Sequence, residues 1–246
     1  MSDEDANTLG GSIAPPLRFV PVTEALFFLD PINRLPGFRA GWIGRLDDIP
    51  VTTDRDETLA RLQPRHQEIV MGDFGRDRWW RAEQIHGAGI ARVPGAETRM
   101  AADGLPVVPE VDGLITHAAG EMLGIYVADC GAIWLADRGS GAVGLLHSGK
   151  KGTELGILSG AVARMGHEFG TRPEDLVVVL GPCIRPPDYE VDFAKEIGRQ
   201  AEIAGIGEFH DEGRNTAADL AAYYSYRVEK GRTGRMLALI VGEENS

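Results

Sequence analysis

Two cysteines and six histidines are the residues of this chain best suited to chemistry near neutral pH. Three of them stand in comparable settings. His86 lies in Gln84-Ile85-His86-Gly87, Cys130 closes Ala128-Asp129-Cys130, and His147 opens His147-Ser148-Gly149-Lys150-Lys151-Gly152. Each is at the end of a strand-like run beside a glycine or an acid. One soft thiolate with two imidazoles suits zinc, with copper as the second candidate, and three protein ligands leave one coordination position open. The same residues admit other readings. Cys130 and His147 could form a thiolate–imidazole nucleophile pair, with Lys150 or Lys151 lowering the thiol pKa. Cys130 could equally be a small buried thiol at a strand end. The stretch Gly144 to Lys151 resembles a phosphate-binding loop, but it ends in lysine where a magnesium-binding hydroxyl is needed, and its first glycine falls inside a strand pattern.

The elements that must position these residues can be read from periodicity and turn signals. Phe19 to Phe28 reads as one or two short strands broken at Pro21. Asp54 to Met71 has helical spacing at Leu59, Leu62, His66 and Ile69, with Asp54 or Asp56 as start signal and Pro64 as a kink point. Short strands are expected at Val111 to Thr116, Leu123 to Ala128, Ala132 to Ala136 and Ala142 to Leu146. An amphipathic helix carries Leu155, Leu158, Val162, Met165 and Phe169 on one face and stops at Gly170. Leu176 to Leu180 is a strand buried on both faces, Asp192 caps a helix running to Gly205, and Met236 to Val241 is a last strand. Thr216 with Asp219 is read as the capping box of a short helix carrying Tyr223 and Tyr224. Strands and helices mix without strict alternation, which predicts an α+β fold, mixed β-sheets flanked by helices in a single domain. Residues 1–14 are expected to be a disordered tail, with one domain over 15–246.

The bulk composition narrows the partners. A formal charge of −12 and a pI of about 5.0 disfavour nucleic acid and anionic membranes as partners. Two cysteines make no disulfide framework and suit a reducing cytoplasm. The polar, acidic N-terminus shows no signal peptide, so a cytoplasmic location is expected. Composition does not specify the small-molecule substrate or the oligomeric state.

Beyond spacing, six segments occur in a recognisable order: Q84-I-H-G87, V111-D-G-L-I-T116, A128-D-C130, H147-S-G-K-K-G152, G181-P-C-I184 with Y189-E-V191, and Y224-S-Y-R227 with T233-G-R-M236. Together they resemble the multicopper polyphenol oxidase or laccase-domain family, the peptidoglycan-editing-factor-like proteins now understood largely as purine nucleoside phosphorylases. The resemblance covers about residues 75 to 241. It implies an α+β fold and a zinc or copper ion on His86, Cys130 and His147. It also implies phosphorolysis of purine nucleosides, including methylthioadenosine, together with adenosine deamination, so the expected partners are a purine nucleoside and phosphate. Cys130, His147, Asp129 and Lys151 are the expected catalytic residues, and Asp112, Lys150 and Ser148 the expected substrate contacts.

The family usually reads His-Ala-Gly-Trp-Arg-Gly where this chain has His147 to Gly152. Ser148, Lys150 and Lys151 are the departures, and Lys151 keeps a charge while losing the bidentate guanidinium fork. Asp112 and Asp129 are candidates to orient a ligand histidine or to move protons, with turn duty as the alternative. Cys183 reads as a structural thiol, Tyr223, Tyr224 and Tyr226 as core and rim packing, and Arg227 and Arg235 as either anion contacts or surface ion pairs. Six histidines, with His66 and His167 on helical patterns, are too few for four coppers. Any polyphenol oxidation would therefore have to come from a single copper in the one site. A metal-free cysteine hydrolase or amidase editing cell-wall precursors, and a non-catalytic nucleoside-binding relative, are the remaining alternatives.

Overall fold

Five apolar runs are buried at every position: Met122–Val127, Gly131–Asp137, Val143–Ser148, Leu176–Leu180 and Met236–Gly242. That pattern requires strands covered on both faces. The computed structural model, which describes Phe19–Pro21 and residues 26–243, builds the fold around them. The expected N-terminal tail lies outside the described residues. In chain order the strands are β1 Phe19–Pro21, β2 Leu26–Leu29, β3 Phe38–Ile43, β4 Trp80–Ala82, β5 Ile90–Arg92, β6 Arg99–Met100, β7 Pro106–Val108, β8 Gly113–Thr116, β9 Met122–Val127, β10 Gly131–Asp137, β11 Val143–Ser148, β12 Leu176–Leu180, β13 Glu208–Asp211 and β14 Met236–Gly242. The helices are α1 Asp30–Asn33, α2 Arg55–Phe74, α3 Lys150–Glu154, α4 Ile157–Phe169 and α5 Phe193–Ile203.

Two mixed sheets result. One has the order β1-β2-β3-β14-β9-β4-β7-β6 and the other β13-β12-β10-β11-β8-β5. Within them β9 pairs antiparallel with β14 but parallel with β4, and β12 pairs antiparallel with β10 but parallel with β13. Side-chain alternation stacks the layers. On β10, Trp134 faces the larger sheet, its ring 5.9 Å from that of Trp42, and its Nε1 donates to the Leu239 carbonyl at 2.9 Å. Its neighbours Ile133 and Leu135 join Leu158 and Met165 of α4 and Ile197 of α5. On β3, Trp42 points inward and Gly41 points at α2, where a Cβ would lie 2.9 Å from the Phe74 ring. The order of layers is α2, larger sheet, smaller sheet, then α4 with α5. This is the expected α+β, single-domain architecture.

Most local signals hold. Asp54 caps α2 by accepting from Glu57 N at 2.8 Å, and Pro64 sits inside the helix. Asp192 caps α5 through Lys195 N at 3.0 Å, and Gly170 ends α4 with a φ of 70°. Two expectations are corrected. Leu155 is 56% exposed rather than on the buried face of α4, because Gly156, at φ 73°, breaks the chain between α3 and α4. Thr216 and Asp219 cap no helix. The Thr216 hydroxyl donates to Asp129 at 2.8 Å, and Asp219 Oδ1 instead closes turns onto Ala221 N and Ala222 N. A tertiary partner took the capping residue away from the local backbone.

Candidate metal centre and active site

Strands β4 and β9 run parallel in the larger sheet, so the chain leaves both at the same end. Each exit crosses to the smaller sheet. The segment after β4 carries His86 into β5, and Ala128-Asp129-Cys130 carries the chain from β9 into β10. Gln84 ties the two crossings together: its Nε2 donates to the Tyr126 carbonyl at 2.5 Å and its Oε1 accepts from Tyr126 N at 3.0 Å. The end of β11 lies antiparallel to the start of β10, with His147 opposite Ala132, which puts His147 beside Cys130. The ligand atoms of His86, Cys130 and His147 all lie within 4.8 Å of one another. Their burial is graded, from exposed His86 through half-buried Cys130 to buried His147.

Asp112, just before β8, is fully buried behind this trio. Its Oδ1 accepts from His147 Nδ1 at 2.8 Å and from His86 N at 2.9 Å, and its Oδ2 accepts from Gly87 N at 2.7 Å. The carboxylate fixes the His147 ring with Nδ1 engaged and leaves Nε2 for the site. Gly149 is equally constrained, since a Cβ there would sit 2.6 Å from Cys130 Sγ.

Burial by itself disfavours charge on Cys130 and His147. Their mutual attraction outweighs it. The imidazole lowers the thiol well below its usual range, with help from His86, and the thiolate together with Asp112 raises His147. Both shifts favour the ion pair over the neutral pair.

The trio opens onto a cavity of about 810 Å³. Ile184, Tyr189 and Phe193 give it an apolar and aromatic wall, and Arg55, Lys150, Lys151, Arg227, Lys230 and Arg235 give it a cationic one. Backbone strain gathers here too. Of the five described residues outside glycine with positive φ, Gln84, His86, Asp129 and Lys230, at 65°, 61°, 77° and 51°, line the cavity, while Glu110, at 57°, does not. Left-handed backbone at residues with a Cβ is costly and concentrates at functional sites.

The residues singled out from the sequence take different places. Lys150 and Lys151 are exposed on α3 and line the cavity, as does Asp129. The Asp129 carboxylate is engaged, however, by Thr216 at 2.8 Å and by Arg227 N at 2.7 Å. Ser148 and Asp112 do not reach the wall. Ser148 is fully buried with its hydroxyl 2.8 Å from that of Thr153, and Asp112 is spent behind the histidines, so neither is placed to touch a substrate. Cys183 is buried, its thiol pushed up to about 12 by burial. Arg227 pairs with Glu190 at 2.8 Å. Tyr223 and Tyr224 are core residues and Tyr226 is a rim residue. His66 is in the core, and His117 stacks on Phe169. Sequence reasoning passed over Arg55, Phe193 and Lys230. None lies in a motif, and Arg55 shows in the sequence only as the residue after a helix cap.

A family-wide sequence model described as multi-copper polyphenol oxidoreductase laccase matches residues 33–198 and 191–243. The purine nucleoside phosphorylase YlmD of Geobacillus stearothermophilus is 34% identical over 200 residues, 68% of this chain and 73% of that protein. A purine nucleoside phosphorylase of Deinococcus radiodurans is 33% identical over 223 residues, 79% of this chain and 78% of its own length. The crystal structure of the Geobacillus protein superposes with a TM-score of 0.76 and 26% identity, covering 93% of this chain and all (100%) of that one. The Bacillus licheniformis hypothetical protein YfiH shares the fold, with a TM-score of 0.77 at 20% identity over 94% of this chain and 100% of its own.

Proposed function

Since the chain belongs to the multi-copper polyphenol oxidoreductase laccase family, we propose that it is a metal-dependent purine nucleoside phosphorylase. The observation that carries this reading is the convergence of His86, Cys130 and His147 on one wall of a cavity otherwise lined by aromatic and cationic side chains. Relatives of similar length bear the name purine nucleoside phosphorylase.

The donor set fits a metal. A thiol whose pKa is lowered, two imidazoles within 4.8 Å, and a carboxylate orienting one of them match a three-ligand zinc or copper site. When bound, the ion would supply Lewis acidity at its open position. The protein's own groups account for the rest. Ile184, Tyr189 and Phe193 offer a surface for a purine, and the cationic side attracts phosphate. In phosphorolysis the bond from the anomeric carbon to the purine nitrogen breaks, its electron pair leaving with the base. A phosphate oxygen bonds to the anomeric carbon, and the proton of hydrogen phosphate passes to the base. Cys130 and His147 serve as ligands in this scheme. Asp129 holds the wall that carries Arg227 rather than carrying a proton, because both its oxygens are engaged. Adenosine deamination and methylthioadenosine cleavage are further activities of the same proposal.

The test incubates zinc-loaded and copper-loaded protein with adenosine, inosine, guanosine and methylthioadenosine, with and without phosphate. Free base that requires phosphate is expected, and Cys130→Ala should lose both metal uptake and turnover. Base release independent of phosphate, or none with any nucleoside, overturns the reading. One observation favours a second reading. Cys130, His147 and Asp112 form a thiolate, imidazole and carboxylate chain of the kind that activates a nucleophile. A metal-free cysteine hydrolase predicts hydrolytic turnover that zinc suppresses.

A further inference from the structure

Among the cations on the cavity wall, Arg55 and Arg235 differ from the rest. Arg227 has Glu190 at 2.8 Å, and Lys150, Lys151 and Lys230 are solvent-facing. Arg55 and Arg235 are half-buried, and among the described residues neither forms an ion pair with an acid. Arg55 opens α2 and donates through Nη1 to the Glu83 carbonyl at 3.1 Å. Arg235 stands before β14, donates through Nη1 to the carbonyls of Thr233 at 3.2 Å and Gly234 at 2.8 Å, and lies 5.9 Å over the Tyr226 ring. All three bonds are to neutral acceptors; the acids that favour the two charges, Asp56, Glu83 and Asp112 for Arg55 and Asp129 for Arg235, act without a direct ion pair.

Two of the nearby carboxylates are committed elsewhere. Glu83 accepts from Arg99 at 2.9 Å and from Glu110 N at 2.9 Å, and Asp103 pairs with Arg81. Burial first, and then the charge of Arg55, push Arg235 below the usual arginine range. Two guanidiniums that repel each other in a half-buried wall are unfavourable unless an anion joins them. Five N–H donors on each, with only one nitrogen of each tied to backbone, give a fork suited to tetrahedral oxyanions.

We propose that Arg55 and Arg235 together form the oxyanion subsite of the cavity and that it takes orthophosphate. This deepens the phosphorylase reading and rests on it for the identity of the anion. It places the phosphate contact on two residues far apart in the chain rather than on Lys150 or Lys151 of the His147–Gly152 loop.

The test titrates inorganic phosphate into the zinc-loaded full-length protein by calorimetry, for wild type, Arg55→Gln, Arg235→Gln, Arg235→Lys and, as the control at an exposed lysine outside the cavity lining, Lys195→Gln. Thermal unfolding of each variant checks that it folds. Each arginine-to-glutamine change should weaken phosphate binding by about tenfold or more, since it removes charged hydrogen bonds. Arg235→Lys should recover part of the loss, and Lys195→Gln should stay within a fewfold of wild type. In turnover assays the phosphate KM should rise in the glutamine variants while the nucleoside KM holds. Folded glutamine variants that bind phosphate like wild type, or a wild type that binds none, overturn the subsite. Phosphate bound at the arginines with no phosphate-dependent base release leaves the subsite standing and removes the phosphorylase reading. Phosphorolysis whose phosphate KM ignores both arginines does the reverse.

Discussion

Asp112 holds one loop and one ring with a single carboxylate. Its oxygens take the amides of His86 and Gly87 and the Nδ1 of His147, so one acid aligns two of the three candidate ligands. Asparagine there keeps the volume but offers one acceptor oxygen instead of two, and it loses the charge that favours the bound imidazole orientation. Asp112→Asn should therefore fold and yet weaken zinc binding by about 10–100-fold, the usual cost of removing such a partner. Competition against a chelator of known affinity reads this, with circular dichroism confirming the fold. Unchanged affinity would mean that the backbone alone positions the candidate ligands.

At the level of elements, the centre depends on two crossings between sheets and on one irregular wall. The crossings are stiffened by Gln84, which pairs with Tyr126 much as a strand residue would. The wall, from Thr216 to Arg235, has little regular structure, and Asp129 anchors it at both Thr216 and Arg227. Thr216→Val keeps the shape of the side chain and leaves Asp129 Oδ1 without its donor in a buried setting. The cost should be about 1–3 kcal/mol. It should appear as faster amide exchange in the 216–235 wall with protection retained in β10 to β12, because those strands do not share the contact. Uniform loss of protection would show that the wall and the sheets open as one unit.

At the scale of the molecule, a chain with a formal charge of −12 gathers cations around one cavity. That arrangement draws small anions inward while the outer surface repels larger ones. No described helix is long and apolar enough to cross a membrane. Whole-molecule stability should also carry a histidine signature. His66 is fully buried beside Tyr126, and burial, aided by Arg81, lowers its pKa from 6.5 to about 3. The unfolded chain binds a proton there that the folded chain refuses. Its contribution is thus complete above the unfolded value of 6.5 and is lost as pH falls from there toward about 3. Thermal midpoints should drop between pH 7.5 and pH 5 by more in wild type than in His66→Leu, and equal drops in the two would sink this assignment.

The sequence by itself determined the local and repetitive features. A continuous apolar run marked Leu176–Leu180 as a strand covered on both faces, Asp54 and Asp192 marked helix starts, and strand-end glycines and acids marked His86, Cys130 and His147. These are legible because each depends on residues within a few positions along the chain. Only the tertiary structure decided which turns meet. The parallel pairing of β4 with β9 and the register of β10 on β11 bring the three candidate ligands together. The same packing turned Thr216 from a helix cap into a partner for Asp129, buried Ser148 away from the cavity, and set Arg55 and Arg235 on one wall. Contacts between residues far apart in the chain follow from sheet order and burial, and no local pattern encodes them.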